Sequence, residues 1–233
     1  LLKERQIDVV FTTGGYIAAP AILAARSLNI PVILHESNFL PGKVTRWFGS
    51  MCHTVALGFS NSAQYLPRAR TSYVSTPVRS QFLSPQKLEL PIPKDRLLIV
   101  VAGGSQGAVA LNKIVRQAAP TWLDMGAAIV HLTGNSDPES DSFQHPNYFI
   151  MPFYDNMAGL FQRANLAISR AGAGTLTELA VSRTPSVLIP YPYAAEDHQS
   201  YNARVFANSG AALMFSQSEL NANLLQEKVS SLL

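Results

Sequence analysis

The chain has 233 residues, 47% apolar and 14% charged, which is enough to bury a core in one large or two ordinary domains and carries no compositional mark of disorder. Its one cysteine, Cys52, excludes an internal disulfide and suits a reducing compartment, and no run approaches the roughly 18 consecutive apolar residues of a spanning helix. The formal charge of +3 is too small to argue for nucleic acid, but residues 1–95 carry ten Lys/Arg against five Asp/Glu and residues 96–233 eight against ten. A basic first half could face an anionic partner, or it could be uneven surface charge.

Along the chain, Leu1–Gln6 reads as the tail of a helix feeding a strand at Asp8–Thr13. A helix tail without its own strand implies a missing unit upstream, so the sequence reads as a fragment. Apolar runs recur at Pro31–Glu36, Thr54–Phe59, Ser72–Thr76, Arg96–Ala102, Ala128–Thr133, Tyr148–Phe153, Leu166–Ser169 and Pro185–Tyr191. They are continuous rather than alternating, as expected of strands covered on both faces. Helical patterns lie between them at Ala19–Leu28, Ala108–Leu123 and Thr175–Ser182, with an amphipathic one at Leu220–Leu233. Strand–helix alternation at this spacing predicts an α/β fold with parallel sheets. Leu83–Asp95, with Pro85, Pro91 and Pro93, reads as a linker, giving domains 1–88 and 89–233.

Three loops in the second half carry chemistry. Gly103-Gly104-Ser105-Gln106-Gly107 follows a strand and opens a helix, where glycines permit a tight turn and free amides with the helix dipole favour a phosphate. It is not the dinucleotide fingerprint. Ser169 through Glu178 repeats the arrangement with Arg170, Gly172 and Gly174, and Glu178 could hold two vicinal hydroxyls or compensate the helix dipole. Tyr191 through Gln199 gathers Glu196, Asp197, His198 and Gln199 after a strand, a set suited either to a polyol or to plain solvent. Metal-ligand spacing and an Asp-x-Asp pair are both missing from this sequence, so no metal is expected. In the first half, His35-Glu36-Ser37-Asn38 and Thr76-Pro77-Val78-Arg79 end strands; Glu36 or His35 could handle a proton, and Arg79 could reach a phosphate. Equally, Asn38 could cap a helix and His35 could be a satisfied core histidine.

Taken in order, Asp8-Val9-Val10 with Gly14-Gly15-Tyr16, Pro20, His35 to Asn38, Pro41-Gly42, Gly103 to Ala108, Phe153-Tyr154-Asp155-Asn156-Met157, Arg170 to Glu178, and Asp197-His198-Gln199 with Asn202-Ala203 resemble the MurG family of bacterial peptidoglycan synthesis. The resemblance runs over essentially the whole chain. It implies a GT-B fold, two Rossmann-like domains with parallel sheets facing a central cleft. It also implies inverting, metal-independent and cofactor-free transfer of GlcNAc from UDP-GlcNAc to the MurNAc C4 hydroxyl of undecaprenyl-linked lipid I. Such an enzyme works at the cytoplasmic face of the bacterial inner membrane as a peripheral protein.

By matching positions, the resemblance places Ser105 on the diphosphate and the Tyr154 backbone on uracil. It lines the nucleotide with Ala173, Gly174, Thr175, Leu176, Thr177 and Glu178, the last on the ribose. Gln199 would meet the GlcNAc hydroxyls, Asn38 the sugar side of the cleft, and Arg79 the donor from the first domain. The family's opening Gly-Thr-Gly-Gly-His loop, whose histidine is proposed as general base, has no counterpart before Leu1, and its final helix is cut short. Glu36 is the fallback base. Other readings remain: another GT-B UDP-sugar:lipid transferase, a UDP-GlcNAc epimerase, or a non-catalytic half that recruits a membrane partner.

Overall fold

The computed structural model describes residues 2–104 and 108–233. The chain divides into two compact units, Leu1–Pro77 with Ala195–Asn202, and Val78–Ala194 with Ala203–Leu233. In the first unit β1 (Val10–Thr12), β2 (Val32–Glu36), β3 (Thr54–Leu57) and β4 (Thr71–Tyr73) pair in that order, all parallel. Helices α1 (Ala18–Ser27) and α2 (Lys43–Phe48) connect them. Ile22 and Ala25 of α1 close on Leu34, Val55 and Leu57, all essentially inaccessible to solvent. Asn29, at φ 55°, ends α1 in the left-handed conformation that asparagine tolerates, and the Ile30 amide returns to the Ala25 carbonyl at 2.9 Å. Residues 2–6 form turns, not the helix tail the sequence suggests.

The second unit runs β5 (Leu98–Ala102), α3 (Val109–Asp124), β6 (Ala128–Leu132), β7 (Tyr148–Met151), α4 (Met157–Arg163), β8 (Leu166–Ser169), α5 (Ala173–Ser182) and β9 (Ser186–Leu188). It ends with α6 (His198–Asn208), which begins in the Ala195–Asn202 segment, then β10 (Ala212–Met214) and α7 (Ala222–Ser230). The parallel sheet has the order β10-β9-β8-β5-β6-β7. The chain thus winds outward from β5 through β6 to β7, then returns to the opposite side of β5 with β8. This is the doubly wound, Rossmann-like order.

Alternation along β5 explains its continuous apolar run. Ile99 and Val101 pack with Leu111, Val115 and Trp122 of α3 and Leu225 and Val229 of α7. Leu98, Val100 and Ala102 pack on the other face with Leu160 and Phe161 of α4 and Leu176 and Leu179 of α5. Each such fully buried side chain contributes about 1.5–3 kcal/mol. The proline-rich stretch lies on this second face: Phe82 is buried, and Leu88, Leu90 and Ile92 turn toward the same core while Lys87, Glu89 and Pro91 point to solvent. Among the described residues no helix is long and apolar enough to cross a membrane.

Candidate functional site

Where strand order reverses, between β5 and β8, two chain segments leave the strands' C-terminal ends toward helices on opposite faces of the sheet, the place where open α/β sheets bind ligands in a crevice. Both segments are the glycine turns singled out in the sequence. A Cβ on Gly103 would lie 2.7 Å from the Ala108 Cβ and 2.9 Å from its nitrogen, so Ala108 approaches too closely for any residue but glycine. The expected diphosphate contact, Ser105, lies outside the described residues, as do Gln106 and Gly107.

The turn after β8 opens α5 with Gly172 as N-cap and no side-chain cap. Leu176 is the first residue whose amide returns to the helix, bonding the Gly172 carbonyl at 3.0 Å. The amides of Ala173, Gly174 and Thr175 precede it and have no acceptor within the helix. Helix α3, which follows the Gly103 turn, also lacks a side-chain cap. The same unit caps other helices well: Asn156 accepts the Gly159 amide of α4 at 2.8 Å, and Asn221 the Leu224 amide of α7 at 2.9 Å. In this unit α3 and α5, which open at the strand reversal, lack the side-chain cap that α4 and α7 have, as α1 and α2 of the first unit also do.

Gly174 adds a second sign. It sits in the first turn of α5, its φ is not positive, and beyond its chain neighbours and the backbone of its own helix no atom of the described residues lies within 4 Å of where a Cβ would stand. Neither backbone geometry nor packing within the chain asks for glycine there, although glycine weakens a helix relative to alanine by about 0.5–1 kcal/mol. Close approach of a ligand to the backbone would account for it.

The remaining expected residues of this unit divide by what they touch. Glu178 accepts from Arg79, with Nη2 at 3.0 Å and Nε at 3.1 Å, and the Arg79 guanidinium lies 5.2 Å over the Phe82 ring. The structure therefore brings these two residues together. Leu176 spends its side chain in the core and its amide in the helix, and Thr177 returns its hydroxyl to the Ala173 carbonyl at 2.9 Å. The Tyr154 hydroxyl is buried without a hydrogen-bond partner among the described residues. Arg170 is a clamp: it donates to the Ile189 and Pro190 carbonyls at 3.0 and 3.1 Å and to Gln217 at 2.6 Å, tying together the loops after β8 and β9.

In the first unit a cavity of about 420 Å³ is lined by Gly14, Gly15, Glu36, Asn38, Lys43, Thr45 and His198, among others. Glu36, 6% exposed, is fully engaged by its own loop. One carboxylate oxygen accepts from the Asn38 amide at 3.0 Å and side chain at 3.3 Å; the other accepts from the Gly42 amide at 3.0 Å and the Thr45 hydroxyl at 2.7 Å. His35 is structural: its Nε2 donates to the Ser75 carbonyl at 3.0 Å, which leaves Nδ1 to accept from Ser37 at 3.2 Å. Asn38 also accepts from the Asn202 amide group at 3.1 Å. The polar stretch read as a loop is helical from His198, so Gln199 stands half-buried in the first turn of α6. Glu196 and Asp197 before it hold φ of 52° and 55°, and Glu196 pairs with Arg46.

Sequence reasoning missed a buried polar chain beside the first turn. Asn112, wholly buried on α3, donates to the Thr133 carbonyl at 2.9 Å and to Asp137 at 2.8 Å. Its amide oxygen must then accept from His131 Nε2 at 3.0 Å, which leaves His131 Nδ1 to accept from the Tyr148 hydroxyl. Arg116 grips the other side of Asp137 with Nη1 at 2.7 Å and Nη2 at 3.3 Å. Burial, helped by the Arg116 charge and opposed by Asp137, pushes the His131 pKa down to about 3. Burial drives the Tyr148 hydroxyl well above the ordinary phenol range. Burial opposes ionisation of Asp137 too, but hydrogen bonds from Arg116, Asn112 and the Glu139 amide outweigh it and hold the carboxyl below its usual range. The available signal was Asn112 and Arg116 four residues apart on one helix face, polar residues on a face that must meet the sheet.

Residues 98–233 match the glycosyltransferase family 28 C-terminal domain, and residues 1–57 match the family 28 N-terminal domain. A protein of Gloeothece citriformis named UDP-N-acetylglucosamine–N-acetylmuramyl-(pentapeptide) pyrophosphoryl-undecaprenol N-acetylglucosamine transferase is 69% identical over 233 residues, which cover 100% of this chain and 65% of that protein. One of the same name from Microcystis aeruginosa is 68% identical over 232 residues, again 100% of this chain and 65% of the relative. Among solved structures, Acinetobacter baumannii MurG is similar with a TM-score of 0.82 at 32% identity, over 99% of this chain and 66% of that one. The chain therefore spans about 65% of the length of these curated relatives.

Proposed function

This chain belongs to glycosyltransferase family 28, and from that premise we propose that it carries the donor site of an enzyme that moves GlcNAc from UDP-GlcNAc to the MurNAc C4 hydroxyl of undecaprenyl-pyrophosphoryl-MurNAc-pentapeptide. The fold is α/β of the GT-B class, with two parallel-sheet units, and the relatives bear out the MurG resemblance. The transfer is inverting and uses no metal, with lipid I as acceptor and lipid II and UDP as products. The observation that carries this reading is the pair of uncapped helices opening at the β5–β8 reversal, one with a glycine that nothing in the fold demands. Amides with no acceptor of their own and two aligned helix dipoles suit a diphosphate, and they do so without a cation.

Within that reading the amides of Ala173, Gly174 and Thr175 meet the nucleotide diphosphate, while Leu176 and Thr177 shape the wall behind them. Glu178 exchanges its ion pair with Arg79 for the ribose hydroxyls, and the released guanidinium turns to a phosphate. The Tyr154 backbone faces uracil, Gln199 the GlcNAc hydroxyls and Asn38 the acceptor side. Glu36 is the keystone of the loop from Glu36 to Thr45 and not the proton acceptor, since its oxygens are already committed to four donors. The enzyme acts as a peripheral protein at the cytoplasmic face of the inner membrane. Large apolar side chains exposed at the start of α1 and on α2 of the first unit, Tyr16, Ile17 and Trp47, support contact with a lipid surface.

Calorimetry of this chain with UDP-GlcNAc, UDP-glucose and UDP-galactose, repeated in EDTA, tests the proposal. UDP-GlcNAc should bind most tightly and EDTA should change nothing. Equal affinity for the three sugars, or loss of binding on chelation, would contradict it.

A further inference from the structure

We infer that Asn112, together with Arg116 and Asp137, positions the N-terminal turn of α3 toward the diphosphate at the donor site, an inference that rests on the nucleotide-sugar reading above. None of the three faces the crevice as a ligand group: all are buried among α3, β6 and the loop after β6. What they control is where α3 starts.

Helix α3 begins at Val109, and its N-cap residue Ala108 lies close against Gly103 at the end of β5. Its first intrahelical bond joins the Asn112 amide to the Ala108 carbonyl at 2.8 Å. The same residue that closes the first helical turn therefore also anchors it sideways. Two donors of its side-chain amide go to Thr133 and Asp137, beyond the end of β6, and its oxygen takes the His131 proton. Four residues on, Arg116 holds Asp137 with two nitrogens from the same helix face. The Asp137 carboxylate is thus a bracket between two successive turns of α3 and the loop that follows the neighbouring strand. Tyr148 on β7 closes the chain through His131, so the bracket spans β6 and β7 as well.

Every proton in this chain has one direction. Thr133 offers only a carbonyl and Asp137 only acceptors, so the Asn112 amide orientation is set, then the His131 tautomer, then the Tyr148 hydroxyl. A fully satisfied buried network of this kind is rigid, and one lost member leaves several polar groups unpaired at once. The end of α3 it holds has no side-chain cap of its own. The positions of the Val109, Ala110 and Leu111 amides, which precede the first intrahelical bond, therefore depend on this side anchor. Displacement of a phosphate-binding amide by even about 1 Å is enough to cost binding by roughly tenfold or more.

The positioning role separates from a purely structural one by ligand choice. Uridine has the base and ribose but no diphosphate; UDP has all three. In calorimetry on the 233-residue chain, Asn112→Ala should lower UDP affinity about tenfold or more while uridine affinity stays within about twofold. Arg116→Lys keeps the charge and gives up the two-nitrogen grip on Asp137, so it should show the same selectivity, smaller in size, and serves if Asn112→Ala does not fold. Parallel losses for UDP and uridine would reduce the network to fold maintenance and overturn the inference. Unchanged UDP affinity in a folded variant would overturn it too. If the unsubstituted chain binds neither compound, the nucleotide-sugar reading itself falls and takes this inference with it.

Discussion

The buried imidazole of His131 makes stability depend on acidity over a defined window. Its folded pKa is about 3, whereas the unfolded side chain titrates near the ordinary imidazole value of 6.5. Between those values the unfolded chain binds the proton and the folded one does not, so stability falls as pH is lowered through the window. Lowering the pH from 8 to 5 should remove about 2 kcal/mol through this group alone, because the unfolded state gains about 1.5 pH units of proton binding at 1.36 kcal/mol each. For a protein of this size that is a fall in melting temperature of roughly 4–8 °C. The comparison is with His131→Gln, which cannot take up the proton and leaves the other four histidines in place. Urea unfolding at pH 8, 7, 6 and 5 should show the variant less stable at pH 8 and the gap to the unsubstituted chain narrowing by about 2 kcal/mol at pH 5. If both proteins lose stability in parallel, His131 does not stay neutral in the fold, and the proton directions assigned to the network are wrong.

Two further outcomes follow from the crevice. Glu178→Ala should weaken UDP by roughly 10- to 150-fold in calorimetry, the range for losing a charge-assisted hydrogen bond of about 1.5–3 kcal/mol, and unaltered affinity would return Glu178 to a partner of Arg79 only. Gly174→Ala should raise the midpoint of urea unfolding, with about 0.5–1 kcal/mol of added stability, yet weaken UDP; a variant that is more stable and binds as before would remove the ligand explanation for that glycine.

Long buried strands were the easiest features to read from sequence, since β2, β5, β6 and β8 are continuous apolar runs buried on both faces. The run at Leu166–Ser169 coincides with β8 residue for residue. β10 was missed although residues 211–215 are apolar, because the strand is only three residues long and half-buried and follows directly on a helix. The short helices α2 and α4 hid behind motif residues, and α6 behind a cluster of polar side chains that looks like a loop. Both glycine turns were legible, because a strand, a glycine pair and a helix pattern stand in direct succession. Their position at the strand reversal was not, since strand order depends on pairings between distant segments. The network around Asn112 was hidden for a related reason. Its members are spread from residue 112 to residue 148, and only the fold brings them together.

Glu36 and Gly174 illustrate opposite errors in reading function from residue type. A glutamate at a strand's end invites a catalytic role, but a carboxylate offers about four lone-pair directions, and the Asn38 amide and side chain, the Gly42 amide and the Thr45 hydroxyl occupy that capacity. Its chemistry is consumed in shaping the loop, so the folded structure explains it completely. Gly174 has no side chain with which to react, and the fold does not explain it: its φ is ordinary, its surroundings would admit a methyl group, and its presence costs helix stability. A residue that the fold fully accounts for has little left to give a ligand, whereas one that weakens the fold without local cause points outward, to a molecule that must come close to the backbone.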